Sequence, residues 1–269
     1  MDQSEEEPSG TRRSPAGCRP EWVSGTLPGM IWRAFTEGVR QPWSLGEREV
    51  GVLEEMEDPA CDPSKLHNTY RQFRVINRLL SGWRALYRLH LRPLRKQGPL
   101  HLLDVGFGGG DITLALRRWA ERDGWDLRIT AIDPDPRALA YVRGLSGTAG
   151  IDFRQARTQD LLAREECFDA VVSNHLLHHL EPAELQVFFR ETAALSRGLV
   201  LHSDIERSVW AHRLFALGAS PFFHRSYIVA DGLTSIRRSY RLDELQQLVP
   251  ADWQVRRRIP FHQLALRLP

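Results

Sequence analysis

The stretch His101-Leu-Leu-Asp-Val-Gly-Phe-Gly-Gly-Gly-Asp-Ile-Thr-Leu-Ala-Leu116 limits what this chain can fold into more than any other. Apolar Leu102, Leu103 and Val105 run into a glycine-rich turn, interrupted by Asp104. After Gly110 the spacing becomes helical: Ile112, Leu114, Leu116 and Trp119 are apolar, while Arg117, Arg118, Glu121 and Arg122 are charged. Strand, glycine turn and helix form the opening unit of a nucleotide-binding sheet. Glycine permits positive φ and a close approach of ligand to backbone. The helix start then offers free N–H groups.

Two ligands compete for such a turn. A dinucleotide fingerprint reads G-x-G-x-x-G and seats a pyrophosphate on the helix N-terminus. Here the spacing is G-x-G-x-G, with Gly106, Gly108 and Gly110, and Asp111 stands where the third dinucleotide glycine would be. Asp111 and Asp104 would repel a pyrophosphate. S-adenosylmethionine carries an ammonium and a sulfonium and no phosphate, so acids suit it. Ile129-Thr-Ala-Ile-Asp133 reads as the next strand, ending in an acid that can accept both ribose hydroxyls.

Leu103 to Asp111, then Ile132-Asp133, then Phe168-Asp-Ala-Val-Val-Ser-Asn174 resemble the motifs of class I S-adenosylmethionine-dependent methyltransferases of the small-molecule type, in their order and spacing. The resemblance covers roughly residues 98–269. It implies a Rossmann-like α/β fold with a seven-stranded, mostly parallel sheet and helices on both faces. It also implies S-adenosyl-L-methionine as cofactor, held by Asp104, Gly106, Gly108, Gly110, Asp133 and Asn174.

The remaining chain is read around that domain. Residues 1–25 are rich in Glu, Ser, Pro, Gly and Arg and predict a disordered tail. Residues 26–97 predict an N-terminal helical extension, with Trp22 to Trp43 docked on the body of the protein. Leu66, Tyr70, Phe73, Ile76 and Leu80 form one apolar stripe, ended at Ser81-Gly82; a second runs from Trp83 to Leu91. His67, Tyr70 and Arg71 are placed to face a ligand. By resemblance these helices form a lid; the alternative is that they cover one sheet edge. Strands are expected at 100–105, 128–133, 151–155, 168–173 and 198–202, and helices at 111–122, 136–145 and 182–196. A helix over 241–249 and two strands around Pro260 close the sheet.

The acceptor side is read from two strand tips. His178 and Asp204 are the candidate catalytic residues, because either could take a proton from a hydroxyl; helix capping is the alternative for both. His202 is placed beside Asp204 at the acceptor entrance. His178 and His179 resemble a metal pair, but no third ligand stands at a suitable spacing, so no metal is expected. Residues 206–240 carry Trp210, Phe215, Phe222, Phe223 and Tyr227 and suit an apolar cap or, equally, a homodimer interface. Arg237-Arg238 and Arg256–Arg258 read as solvated faces.

Composition narrows the partners. A net charge of +2 gives no nucleic-acid footprint. Cys18, Cys61 and Cys167 form neither a disulfide framework nor a zinc motif, which fits a cytoplasmic protein. No apolar run approaches the ~20 residues of a membrane span. The expected activity is methyl transfer to a small apolar or aromatic acceptor, at a hydroxyl. The alternatives are carbon methylation of the quinone-biosynthesis kind and a non-catalytic, cofactor-binding regulatory protein.

Overall fold

The computed structural model describes residues 45–95 and 99–269. The tail expected over 1–25 and the docked segment from Trp22 to Trp43 lie outside these residues.

The first long element is α1, Pro63–Ile76. The Asp62 carboxylate accepts from the N–H groups of Ser64 and Lys65, and Pro63 occupies the first turn, where a missing N–H costs nothing. A π-helical turn, Asn77–Ser81, extends α1, and Gly82 ends it at φ 65°. Helix α2, Trp83–Leu86, follows and runs into a second π turn, Tyr87–Leu91.

Strands and helices then alternate: β1 (Leu100–Val105), α3 (Asp111–Arg122), β2 (Leu127–Asp133), α4 (Pro136–Arg143), β3 (Ile151–Gln155), α5 (Thr158–Ala163), β4 (Phe168–Asn174), α6 (Pro182–Ala194) and β5 (Ser196–Ile205). Two helices interrupt the alternation, α7 (Val209–Ala219) and α8 (Ile228–Arg238). The chain closes with α9 (Leu242–Leu248), β6 (Gln254–Arg258) and β7 (His262–Arg267). The seven strands form one sheet in the order β3-β2-β1-β4-β5-β7-β6. Strands β1 to β5 are parallel, and β7 is antiparallel to both neighbours. This is the seven-stranded Rossmann-like sheet expected from the sequence.

Burial follows the two-residue period of a strand. Leu100 and Leu102 of β1 pack with Trp83, Leu86 and Leu91 on one face. Leu103 and Val105 pack on the other with Leu185 and Phe189 of α6 and Leu245 of α9. The N-terminal helices therefore divide. The α2 segment is buried in the core of one sheet face, whereas α1 lies over the glycine turn: a Cβ on Gly109 would meet the Tyr70 backbone oxygen at 3.0 Å. Helices α7 and α8 pair closely, with the Phe215 ring where a Cβ of Gly232 would stand. Among the described residues no helix is long and apolar enough to cross a membrane.

The chain winds outward from β1 through β2 to β3, then crosses back to place β4 on the other side of β1. In open α/β sheets that reversal opens a crevice at the carboxyl ends of the strands.

Candidate active site at the strand tips

The crevice floor is the glycine turn. Gly106, Gly108 and Gly110 have φ of 77°, 50° and 69°, so all three sit where a side chain strains the backbone. Their surroundings differ. A Cβ on Gly106 would strike Leu176, beyond the tip of β4, and one on Gly110 would meet Val142 at 2.9 Å. A Cβ on Gly108 would meet nothing within 4 Å. The first and third glycines are thus needed for packing, while the second keeps space open at the crevice.

Three acids surround this turn. Asp104 is buried in β1, and its Oδ2 accepts from the Thr113 hydroxyl at 2.6 Å. Asp111 begins α3 and accepts from the Asn77 amide at 3.1 Å. Asp133 ends β2; its two oxygens accept from the N–H groups of Gly108 and Asp135, both at 2.9 Å. Among the described residues no cationic side chain forms an ion pair with any of them. Burial, with Asp111 and Asp133 nearby, pushes Asp104 up to about 7. Burial alone takes Asp111 up to about 6 against its hydrogen bonds, and raises Asp133 as well. Such a cluster favours a cation and disfavours a phosphate.

A pH dependence follows. A cationic ligand stabilises the ionised form of Asp104, so binding below about pH 7 must expel a proton, and binding above it need not. Affinity should rise with pH by at most about tenfold per unit below 7 and then level off. Titration of S-adenosylhomocysteine binding against pH checks this, and Asp104→Asn should flatten the profile.

On the β4 side, Asn174 Oδ1 accepts from the Trp83 indole at 2.7 Å. Helix α2 thereby orients a crevice side chain from within the core. Tyr70 also lines the crevice. His67 instead packs edge-on against Tyr141, and Arg71 donates to Asn68, so neither is brought to the glycine turn as the sequence suggested.

The two candidate bases meet. Asp204 Oδ2 accepts from the His178 backbone N–H and Oδ1 faces His178 Nδ1, each at 2.8 Å. The Ile205 N–H also donates to Oδ1 at 2.7 Å. Both side chains are buried. Burial opposes charge on the ring, but Asp204 and Glu54 outweigh it and push His178 up to about 10. Burial likewise opposes the Asp204 carboxylate, yet His178 brings it down to about 2. A carboxylate whose oxygens already hold three N–H donors makes a poor free base. The geometry supports a positioning role for both residues.

His202 departs from expectation. It is fully buried beneath α6, bonded to Ser173 Oγ and Thr192 Oγ1 and stacked on Trp253. Burial holds it neutral, at about 3. His202 and Asp204 are two residues apart on β5 and so share a face, but His202 stands further back from the strand tip, where Phe188, Phe189 and Thr192 of α6 cover it.

Several site residues were absent from the sequence reading. Glu54 is buried, with Oε1 3.3 Å from His178 Nε2 and 4.0 Å from His179 Nε2. Glu57 Oε1 faces His179 Nδ1 at 2.8 Å. Asp231 of α8 accepts from the N–H groups of Glu55 and Met56 and pins this turn beside the histidines. Arg48 donates to the carbonyl oxygens of His178 and Leu180. The only advance signal was the acidic run Glu54-Glu-Met-Glu-Asp58, which has no periodicity. The basic runs are solvated only at Arg256 and Arg257, which are exposed. Arg238 is buried on Glu57, Arg237 pairs with Glu49, Arg257 with Glu206, and Arg258 donates to the Ser81 carbonyl.

The glycine turn, Asn174, Glu54 and the two histidines border one cavity of about 1870 Å³. Its floor is the glycine turn and the three acids. Its roof is largely apolar, with Phe73 and Ile76 from the α1 side and Phe215, Phe223 and Ile236 from the 206–240 segment.

Residues 103–198 match a family model described as a methyltransferase domain. Ubiquinone biosynthesis O-methyltransferase of Azorhizobium caulinodans is 29% identical over 133 residues, 48% of this chain and 48% of that protein. The enzyme of the same name from Methylobacterium sp. (strain 4-46) is 30% identical over 124 residues, 45% of this chain and 47% of its own. The chain thus aligns with about half the length of these curated relatives. Among solved structures, the plantazolicin methyltransferase BpumL, in complex with a monoazolic desmethylPZN analog and SAH, superposes with a TM-score of 0.56. It is 14% identical and covers 91% of this chain and 100% of its own, a likeness of fold.

Proposed function

We propose that the chain is a class I S-adenosylmethionine-dependent methyltransferase, as the match of residues 103–198 to a methyltransferase domain supports, and that it methylates a hydroxyl of a small apolar or aromatic acceptor. One observation carries the cofactor half of this reading: three buried acids, with no ion-pair partner among the described residues, surround a turn whose middle glycine faces open space. The donor set fits. Asp133 would take the ribose hydroxyls, Asp104 the ammonium end, and the free amide N–H groups of Asn174 the carboxylate end. The bound cofactor supplies an electrophilic methyl on a sulfonium.

The chain's own residues then bind, align and exclude water. Alignment of nucleophile and methyl is the larger share of catalysis for a direct displacement. Helix α1 and the α7–α8 segment act as the lid and cap, and their apolar lining selects a flat or greasy acceptor. The His178–Asp204 pair fixes the end of β4 against the end of β5. His179, the more exposed of the two histidines, lines the cavity. The names of the curated relatives support oxygen as the methylated atom.

The test is a panel of phenols, catechols and enolisable ring carbons incubated with S-adenosylmethionine and followed by mass spectrometry. A one-methyl gain on a phenolic oxygen is expected. Methylation at carbon alone would overturn the oxygen assignment. Intact cofactor binding with no product from any nucleophile would place the protein among non-catalytic cofactor binders.

A further inference from the structure

We infer that Glu54, His178 and His179 form a binding site for a divalent transition-metal ion, zinc by preference. Two imidazoles and a carboxylate are a donor set such ions take, with further positions left open. The three donor atoms lie within 4.8 Å of one another. Donors on tetrahedral zinc stand roughly 3.3 Å apart, given bond lengths of about 2.0–2.1 Å. His178 Nε2 is already 3.3 Å from Glu54 Oε1, and His179 Nε2 is 4.0 Å from it. His179 is the most exposed of the three, at 29%, and a small ring movement closes its gap.

A second, independent observation points to a ligand. His178 Nε2 is buried, its side chain only 2% exposed, and it has no hydrogen-bond partner among the described residues. The Glu54 oxygen is close but off the line a hydrogen bond requires. An orphaned buried nitrogen is costly and a metal ion would satisfy it.

The outer partners match as well. Metal-binding histidines commonly give their other ring N–H to a carboxylate, which fixes the tautomer. Both rings do so here: His178 Nδ1 to Asp204 and His179 Nδ1 to Glu57, each at 2.8 Å. That leaves both Nε2 atoms toward Glu54. Glu54 Oε1 accepts from Ser235 Oγ at 2.5 Å, and Glu57 is held by Arg238 at 2.6 Å. With neutral rings, the carboxylates of Glu54, Glu57 and Asp204 outnumber the Arg238 guanidinium by two charges, the charge of the ion. The spacing of His178 and His179 offers no third ligand in sequence; folding brings it from Glu54, far upstream. The open positions face the cavity. Metal binding here does not depend on which acceptor is methylated.

The test uses the full chain, freed of metal by a chelator. Calorimetry with Zn²⁺ alone should give one equivalent bound, and Co²⁺ should give visible ligand-field absorption. His179→Gln, at a partly exposed position that tolerates change, should weaken zinc at least tenfold and abolish the cobalt spectrum. Glu54→Gln should do the same, and Asp204→Asn should weaken zinc about tenfold, as for a lost outer partner. A hundredfold excess of Mg²⁺ should not displace zinc, because magnesium prefers oxygen donors. The inference is overturned if the wild-type chain takes up no zinc. It is equally overturned if His179→Gln, folded by circular dichroism, binds zinc as tightly as wild type, or if Mg²⁺ displaces the ion.

Discussion

Gly108→Val should leave the protein folded and unable to bind its cofactor. The backbone at 108 has φ 50°, which a β-branched residue tolerates poorly, at a cost of roughly 1–3 kcal/mol. Among the described residues no atom lies within 4 Å of the position a Cβ would take. The added side chain therefore collides with nothing in the protein and enters the open crevice beside Asp133. S-adenosylhomocysteine affinity should fall at least a hundredfold, about 2.7 kcal/mol. The same substitution at Gly106 or Gly110 would report on folding instead, because Leu176 and Val142 occupy that space. Calorimetry with a melting curve separates the cases. Normal binding by Gly108→Val would move the site elsewhere.

Asp204→Ala should act through stability before catalysis. It removes the acceptor for two backbone N–H groups and one ring N–H and leaves the buried His178 half-paired. Breaking a buried pair from one side costs about 3–5 kcal/mol. Because Glu54 still flanks the ring, the lower figure is expected, a fall in Tm on the order of 10 °C. Asp204→Asn keeps an acceptor oxygen and should lose less. A general base would behave differently: kcat would drop about a hundredfold with the melting point unchanged. Thermal unfolding and turnover of both variants therefore distinguish a positioning residue from a base.

Much of this architecture is written locally in the chain. The strand and helix of the glycine turn announce themselves through a change of period at Gly110, and β1 and α3 form where that period predicts. Pro63 and Pro182 mark helix starts that α1 and α6 adopt. Asp104 and Asp133 lie around the turn as expected, because strand length fixes where a strand's last residue stands. The failures are of another kind. Helix α5 was unread because six residues, Thr158–Ala163, are too short for a period, and only tertiary packing of Leu161 stabilises them. The buried Glu54 was unread because its partners, His178 and His179, lie at a distance in sequence that no local pattern encodes. His202 was misplaced by proximity in sequence to Asp204: two residues back from it along β5, the same face is already covered by α6 and Trp253.

The central claim is that the acids and the open glycine hold a cation-bearing, phosphate-free cofactor. Parallel calorimetric titrations of the purified chain with S-adenosylhomocysteine and with NAD test it most directly. We expect the first to bind one-to-one with a Kd on the order of micromolar, near −8 kcal/mol, and NAD to give no heat of binding. Tight NAD binding with no uptake of S-adenosylhomocysteine would contradict the account.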